Sequence, residues 1–134
     1  SWRRWGEFYR DGLAVPQDYA KAREFYEKGA QMGDYHCFNK IGDMLYYGWG
    51  FPVDYAEAVR YYRQGEQAPI FMHKYGLRNA KTALGRCYEL GHGVEKDLTI
   101  AAEKYLEGYR YGSETCKKDY LRCCELIAAS QIAK

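Results

Sequence analysis

Apolar residues recur along this chain at intervals of three and four, which is the spacing of one face of an α-helix. The clearest example is the set Ala22, Phe25, Tyr26 and Gly29, at positions i, i+3, i+4 and i+7. Asp18 precedes this stretch and is well placed to cap a helix, because a carboxylate accepts hydrogen bonds from free backbone N–H groups. The pattern therefore predicts an amphipathic helix that begins after Asp18 and buries one face.

The same pattern occurs three times, and six positions keep one register through the three copies. The equivalent residues are Gly6, Gly42 and Gly85; Gly12, Gly48 and Gly91; Asp18, Asp54 and Asp97; Ala22, Ala58 and Ala101; Tyr26, Tyr62 and Tyr105; and Gly29, Gly65 and Gly108. Internal repeats with periods of about 20–50 residues indicate stacked supersecondary units. Each unit here predicts two helices joined by a short turn.

The order of signals along the chain predicts where each unit begins and ends. Glycine ends the first helix of each unit, since glycine readily takes the left-handed conformation, and aspartate begins the second helix. A final helix lies in the register of a fourth first helix, with Leu121 in place of the glycine, and is expected to cap the stack. The predicted repeats cover about residues 1–34, 35–78 and 79–113, and the capping helix covers about 114–133.

The second repeat contains an insertion. Gly65 to Gly85 spans 20 residues where Gly29 to Gly42 spans 13, so seven residues are extra, within about residues 66–78. Pro69 is expected to stop the helix before it. The apolar stretch at 70–73 is either a protruding contact loop or a segment that folds back on the stack, and we favour burial.

Three of the repeated glycines lie inside the first helix of a unit, at Gly6, Gly42 and Gly85. Glycine in a helix interior costs about 0.5–1 kcal/mol relative to alanine. We expect this cost to be offset by close packing, in which each glycine lets its helix approach the repeated alanine of the second helix.

Composition and charge describe a folded chain without a strong electrostatic preference. Of 134 residues, 47% are hydrophobic and 28% are charged, with 20 basic and 18 acidic side chains and a net charge of +2. This near balance gives no reason to expect a nucleic acid or an anionic membrane as partner. No apolar run approaches the roughly 18–20 residues of a membrane span. The N-terminus enters a repeat almost directly, so we expect a fragment of a longer protein.

The five cysteines show no paired spacing. Cys37 and Cys116 occupy the repeat position of Ala80, so we interpret them as small buried hydrophobes with free thiols. Free thiols favour a reducing compartment, which here means the cytoplasm. The neighbouring pairs His36-Cys37 and Cys123-Cys124 lack the ligand spacing of a zinc site. The sequence therefore predicts neither a metal site nor a cofactor.

No motif in the chain indicates catalysis. The acidic residues fall at helix caps or on solvated helix faces, and no Ser, Cys or Lys has the context of a nucleophile. The stretch 91–94, Gly-His-Gly-Val, lacks the lysine and the strand-to-helix setting of a phosphate-binding loop. Trp2 and Trp5 have the i, i+3 spacing of a packed helix face, which we favour over base stacking. We expect a protein that is not an enzyme and that binds no nucleic acid.

The third unit has a family resemblance. Its pattern, Ala80-x-x-x-Leu84-Gly85-x-x-Tyr88-x-x-Gly91-x-Gly93-Val94-x-x-Asp97 followed by Ala101, Tyr105 and Gly108, resembles the Sel1-like repeat. That family is related to the tetratricopeptide repeats and consists of stacked antiparallel helix pairs. The resemblance covers nearly the whole chain and implies an all-α fold, an α/α solenoid of about three Sel1-like helix-turn-helix repeats plus a C-terminal capping helix. Gly29, Gly65 and Gly108 depart from the pattern, because the family usually has alanine there.

The resemblance also implies a function. Sel1-like proteins generally assemble other proteins, so we expect a non-catalytic scaffold or adaptor that binds a protein or peptide segment on the concave face of the stack. Tyr46, Tyr47 and Arg86 are the central candidates, since Tyr and Arg often anchor interfaces. Carried over by register from tetratricopeptide arrays, the candidate partner-binding residues are Arg10, Asn39, Asp43, Tyr46, Tyr47, Thr82, Arg86, Glu89 and Arg122.

Three alternatives stay open at this point. These positions could form an ordinary solvated helix face. The chain could be a regulatory or targeting module within a larger enzyme or a secreted virulence factor. It could also form a homo-oligomer through the ends of the solenoid. The sequence does not name the partner.

Overall fold

The computed structural model describes residues 1–69 and 74–133, and these residues form seven α-helices and no strand. Helices that follow one another in the chain pack against each other, and their short connections make them antiparallel neighbours. α3 also contacts α5, so the first helices of the second and third repeats lie side by side. The helices are α1 (Trp2–Asp11), α2 (Tyr19–Gln31), α3 (Tyr35–Tyr47), α4 (Tyr55–Gly65), α5 (Lys74–Leu90), α6 (Leu98–Arg110) and α7 (Glu114–Ala133).

The repeated aspartates cap the second helices as predicted. The side chains of Asp18, Asp54 and Asp97 accept the backbone N–H three residues further on, over 3.1, 3.0 and 3.0 Å. The backbone N–H of each aspartate also donates to a carbonyl near the end of the preceding helix, at 2.9 Å in all three repeats. These bonds give the three inter-helix turns one geometry, and the predicted helix boundaries in the turns are confirmed.

The interior glycines make room for tyrosine rings. A Cβ atom added at Gly42 would lie 2.6 Å from the ring of Tyr62, and the equivalent distances in the first and third repeats are 2.5 and 2.7 Å. The expectation of close packing is therefore confirmed, and the atoms nearest to the added Cβ belong to the repeated tyrosine and not to the repeated alanine. The repeated tyrosine lies one helical turn after the alanine and its long ring extends across the backbone of the first helix.

The departures from alanine at Gly29 and Gly108 also have a packing explanation. A Cβ at Gly29 would lie 2.5 Å from the Sγ atom of Cys37, and one at Gly108 would lie 2.8 Å from that of Cys116. Both thiols are buried in the next first helix. The cysteine sulfur of the next helix thus fills the space that an alanine methyl would occupy at Gly29 and Gly108.

The insertion lengthens α5. α4 ends at Gly65, and α5 begins at Lys74, so the residues just before Asn79 belong to the helix instead of a loop. Gly76 and Leu77 in this added turn are buried, which explains why it continues the helix. The hypotheses about residues 70–73 fall outside the described part of the chain.

The C-terminal helix α7 packs against α6 along one side. Cys116 and Cys123 are buried there, whereas Leu121 and Leu126 are exposed. Leu121 occupies the position of the repeated glycine. Within the described residues α7 is not followed by the second helix of a fourth repeat, which would pack against this position.

Candidate functional site

A cavity of about 600 Å³ lies between α3, α5 and the start of α7. Its walls come mainly from the first helices of the second and third repeats and from the first residues of the C-terminal helix. We call it the inner groove. Five of the nine residues proposed from the sequence line it, namely Asn39, Asp43, Tyr47, Thr82 and Arg86.

Tyr47 and Arg86 form a pair across two repeats. Nη1 of Arg86 donates a hydrogen bond to the hydroxyl of Tyr47 over 2.9 Å. The ring of Tyr47 stacks on Trp49, with 5.2 Å between ring centroids, and the Arg86 guanidinium lies 5.6 Å from the ring centroid of Tyr46. These contacts hold an exposed aromatic ring and a cation in defined positions on the groove wall.

Asp43 also lines the groove, and its carboxylate accepts a hydrogen bond from the second helix of its own repeat. The hydroxyl of Tyr62 donates to Oδ1 of Asp43 over 2.7 Å. Burial raises the pKa of the Asp43 carboxyl above its ordinary value, although the Tyr62 hydrogen bond and the positive charges of Lys40 and Arg86 act in the opposite direction. The groove thus contains a carboxyl group that is partly removed from water and positioned by a repeated tyrosine.

Asn39 and Thr82 make contacts that hold the helices together. Nδ2 of Asn39, which is buried, donates to the carbonyl oxygen of Gly76 over 2.9 Å, and its amide packs against Gly65. The hydroxyl of Thr82 donates to the carbonyl of Arg78 over 2.8 Å and lies 3.1 Å from the Sγ atom of Cys116. Both residues line the groove. The Thr82 hydroxyl and Nδ2 of Asn39 have intramolecular partners, whereas the buried Oδ1 of Asn39 has none within the described residues.

Tyr46, a central candidate, is a packing residue in this structure. Its exposed fraction is 7%, against 47% for Tyr47. Its hydroxyl pairs with Nδ1 of His92 over 2.8 Å, and the His92 ring stacks on Tyr55 with 4.1 Å between centroids. Successive residues of a helix point about 100° apart, so only Tyr47 of the two adjacent tyrosines lines the groove.

Glu89 and Arg122 bind each other. Two nitrogens of Arg122 donate to the two carboxylate oxygens of Glu89 over 2.6 and 2.7 Å, and the hydroxyl of Tyr105 donates to the same carboxylate over 2.8 Å. The hydrogen bonds from Arg122 lower the pKa of Glu89, and Tyr105 adds to this effect while burial opposes it. The pair fastens α7 to α5 and lies outside the lining of the inner groove.

Arg10 is also outside the lining of the inner groove. Nε and Nη2 of Arg10 donate to the two carboxylate oxygens of the neighbouring Asp11, over 2.9 and 3.0 Å. Its side chain therefore belongs to a local pair at the end of α1.

Several groove residues were absent from the sequence prediction. Lys40, Arg78 and Asn79 line the cavity, as do His36 and residues 112–115 at the start of α7. Arg78 lies on the added turn of α5, four residues before Thr82. It is therefore on the same helix face as Thr82, which was predicted to line the groove. Extending the helix register backwards into the insertion would have found it.

Residues 1–69 and 74–133 contain neither a metal-binding cluster nor a candidate membrane span. No group of three or more His, Cys, Asp or Glu side chains in these residues has the geometry to hold a metal ion. Among the same residues no helix combines the length and apolar character needed to cross a membrane.

Comparison with known families and structures supports the fold. The model of the Sel1 repeat matches residues 3–34, 39–67 and 78–107. The crystal structure of c5321, a protective antigen of uropathogenic Escherichia coli with an SLR fold, aligns with a TM-score of 0.74 and 31% identity over 86% of this chain. A Sel1 repeat protein from Oxalobacter formigenes aligns with a TM-score of 0.75 and 26% identity over 89% of this chain. The comparison with curated proteins gave no significant match.

The chain spans 23% of the length of the first of these structures and 46% of the second. The predicted α/α solenoid is confirmed by the helix pairs and by both structural matches. The three matched repeats show that this chain belongs to the Sel1 repeat family, whose members are generally protein–protein interaction modules without catalytic activity.

Proposed function

We propose that this chain is a non-catalytic adaptor that holds a segment of a partner protein in the inner groove. The observation that carries the proposal is the groove itself, a cavity of about 600 Å³ whose walls combine side chains from three neighbouring helices. Ligand sites are typically concave and place a few polar groups on a rigid scaffold. A surface shared by α3, α5 and α7 meets this description.

The groove offers groups of the kind that anchor a partner. Tyr47 is half exposed, and Arg86 is held against it by a hydrogen bond. Because both side chains are already ordered, a partner that contacts them avoids much of the entropy cost of fixing them. Tyr and Arg side chains with this support are frequent hot spots of interfaces.

The environment of three of the five cysteines argues against their acting as nucleophiles. Burial raises the pKa of Cys37 to about 12 and the pKa values of Cys87 and Cys123 to about 11. These three side chains therefore remain protonated near neutral pH, and a thiol is a far weaker nucleophile than a thiolate. They act as part of the core.

The test blocks the groove without disturbing the core. Asn79 is exposed and lines the groove, so Asn79→Trp introduces a large side chain into the cavity. Glu103, which is exposed on α6 outside the groove, supplies the matched control Glu103→Trp. We expect a partner captured by the wild-type chain from native lysate to be retained by the control and lost by Asn79→Trp. Equal retention by both variants would exclude the groove as the binding surface.

A further inference from the structure

Within residues 1–69 and 74–133, two arginines of the inner groove form no ion pair. The ion pairs among the described residues engage basic side chains such as Arg10, Arg23 and Arg122, but none of these pairs includes Arg78 or Arg86. Both of these arginines line the groove. They are therefore available to the carboxylates of a ligand.

Both guanidinium groups are supported by aromatic rings. The guanidinium of Arg78 lies 4.8 Å from the ring centroid of Tyr75, and that of Arg86 lies 5.6 Å from the ring centroid of Tyr46. Packing on an aromatic face orients the planar fork of an arginine and leaves its edge free to bind a carboxylate. The two cations are thus positioned before a ligand binds.

The charges around these arginines favour an acidic ligand. Lys40, the third cation of the lining, already pairs with Glu7 over 3.6 Å, and Asp43 and Glu114 are the acidic members of the lining. Asp43 already accepts the hydroxyl of Tyr62, and Glu114 lies in the first turn of α7, where the helix dipole offsets its charge. Neither carboxylate forms an ion pair with the two arginines within the described residues.

The spacing of the arginines predicts the spacing of the ligand's acids. Arg78 and Arg86 are eight residues apart on α5, which corresponds to about 12 Å along the helix axis. An extended segment rises about 3.3 Å per residue and places every second side chain on one face. Four residues of such a segment therefore span the same distance and return to the same face.

The polar lining of the cavity favours an extended segment over a helix. An extended segment leaves its backbone N–H and C=O groups unpaired, whereas a helix bonds them internally. The exposed side chain of Asn79 lines the cavity and can bond such groups.

We propose that the inner groove binds an extended acidic peptide whose carboxylate side chains at positions i and i+4 pair with Arg78 and Arg86. This inference rests on the proposed function, because it specifies the partner segment held by the same groove. The pairing is a charge-assisted hydrogen bond at each end of the segment.

The test selects peptides from a library of random 12-residue sequences displayed on phage, with the purified chain as bait. Synthetic copies of enriched peptides are then titrated by fluorescence anisotropy against wild type, Arg78→Gln, Arg86→Gln, Asn79→Trp and Arg60→Gln. Arg60 is exposed on α4 and pairs with Glu57, so its variant removes one positive charge outside the groove. Thermal melting checks that each variant is folded. If Arg86→Gln does not fold, Arg86→Lys replaces it in the titration, because lysine retains the positive charge at position 86.

The expected result is enrichment of peptides with Asp or Glu at positions i and i+4. Their affinity should fall about tenfold in Arg78→Gln and in Arg86→Gln, remain unchanged in Arg60→Gln and weaken with added salt. Enriched peptides without acidic residues, or with acidic residues seven or eight positions apart, would overturn this inference. If such peptides lost their binding in Asn79→Trp, the groove would still be supported as a binding site. Binding unaffected by every groove variant would overturn both proposals.

Discussion

The hydroxyl of Tyr62 lies 2.7 Å from Oδ1 of Asp43, so the tyrosine that covers Gly42 also positions a carboxylate of the inner groove. The third repeat has the same relationship, in which the hydroxyl of Tyr105 donates to Glu89 over 2.8 Å. In the second and third repeats the tyrosine therefore has two functions. Its ring fills the space above the glycine, and its hydroxyl reaches an acid on the first helix.

Tyr62→Phe should destabilise the chain by about 1–2 kcal/mol, because it removes the buried donor that Asp43 accepts. Tyr26→Phe is the matched control. The Tyr26 hydroxyl is buried and has no hydrogen-bond partner within the described residues. Its removal should change the free energy of unfolding little or raise it. Urea unfolding of both variants measures the difference, and equal destabilisation would contradict a role for the Tyr62–Asp43 bond.

Gly42→Ala should destabilise by about 1–3 kcal/mol, since the new methyl would lie 2.6 Å from the Tyr62 ring. This loss should exceed the gain of about 0.5–1 kcal/mol that alanine brings to a helix. Gly76→Ala in α5 provides the contrast, because the nearest atom to its Cβ, in the ring of His36, is 3.6 Å away. We expect Gly76→Ala to be neutral or stabilising. Equal effects of the two substitutions in urea unfolding would refute the packing explanation.

The Glu89–Arg122 pair should make stability depend on pH. The folded pKa of Glu89 is below its ordinary value of 4.5, chiefly because of the hydrogen bonds from Arg122. A lowered folded pKa gives stability that is present above pH 4.5 and is lost as pH falls through the folded value. Glu89→Gln should therefore show a smaller loss of unfolding free energy between pH 7 and pH 3 than wild type. An unchanged pH dependence would mean that the pair contributes nothing.

The adjacent residues Tyr46 and Tyr47 should respond in opposite ways to substitution. Tyr46→Ala should cost about 3 kcal/mol or more of stability, since the ring is buried and its hydroxyl pairs with His92. Tyr47→Ala should cost well under that, because the ring is half exposed, but it should weaken partner binding. Thermal melting and the affinity for a captured partner separate the two effects. A large stability loss in Tyr47→Ala would contradict its assignment to the groove surface.

Features that depend on neighbours in the chain could be predicted from the sequence. The caps at Asp18, Asp54 and Asp97 were correct because each depends on a backbone group three residues away. The stacking of helix pairs also followed, since six repeated positions in one register define a solenoid.

Features that depend on the direction of side chains between neighbouring helices could not be predicted from the sequence. The register showed that Gly42 meets a neighbour but did not identify Tyr62 as that neighbour. It also did not separate Tyr46 from Tyr47, which differ by one helical step. Arg78 was missed because the insertion interrupts the repeat, and the prediction did not extend the register of α5 back to Lys74, where the helix begins.

The most direct measurement of the central proposal, that the inner groove holds a partner segment, is site-specific photo-crosslinking. A photoreactive amino acid is placed at position 79 in the groove and, in a separate chain, at position 103 on the exposed side of α6. Both chains are irradiated in native lysate, and the crosslinked proteins are identified by mass spectrometry. We predict a partner crosslinked from position 79 and absent from position 103. Crosslinking of the same partner from position 103 alone would place binding outside the groove and contradict the proposed function.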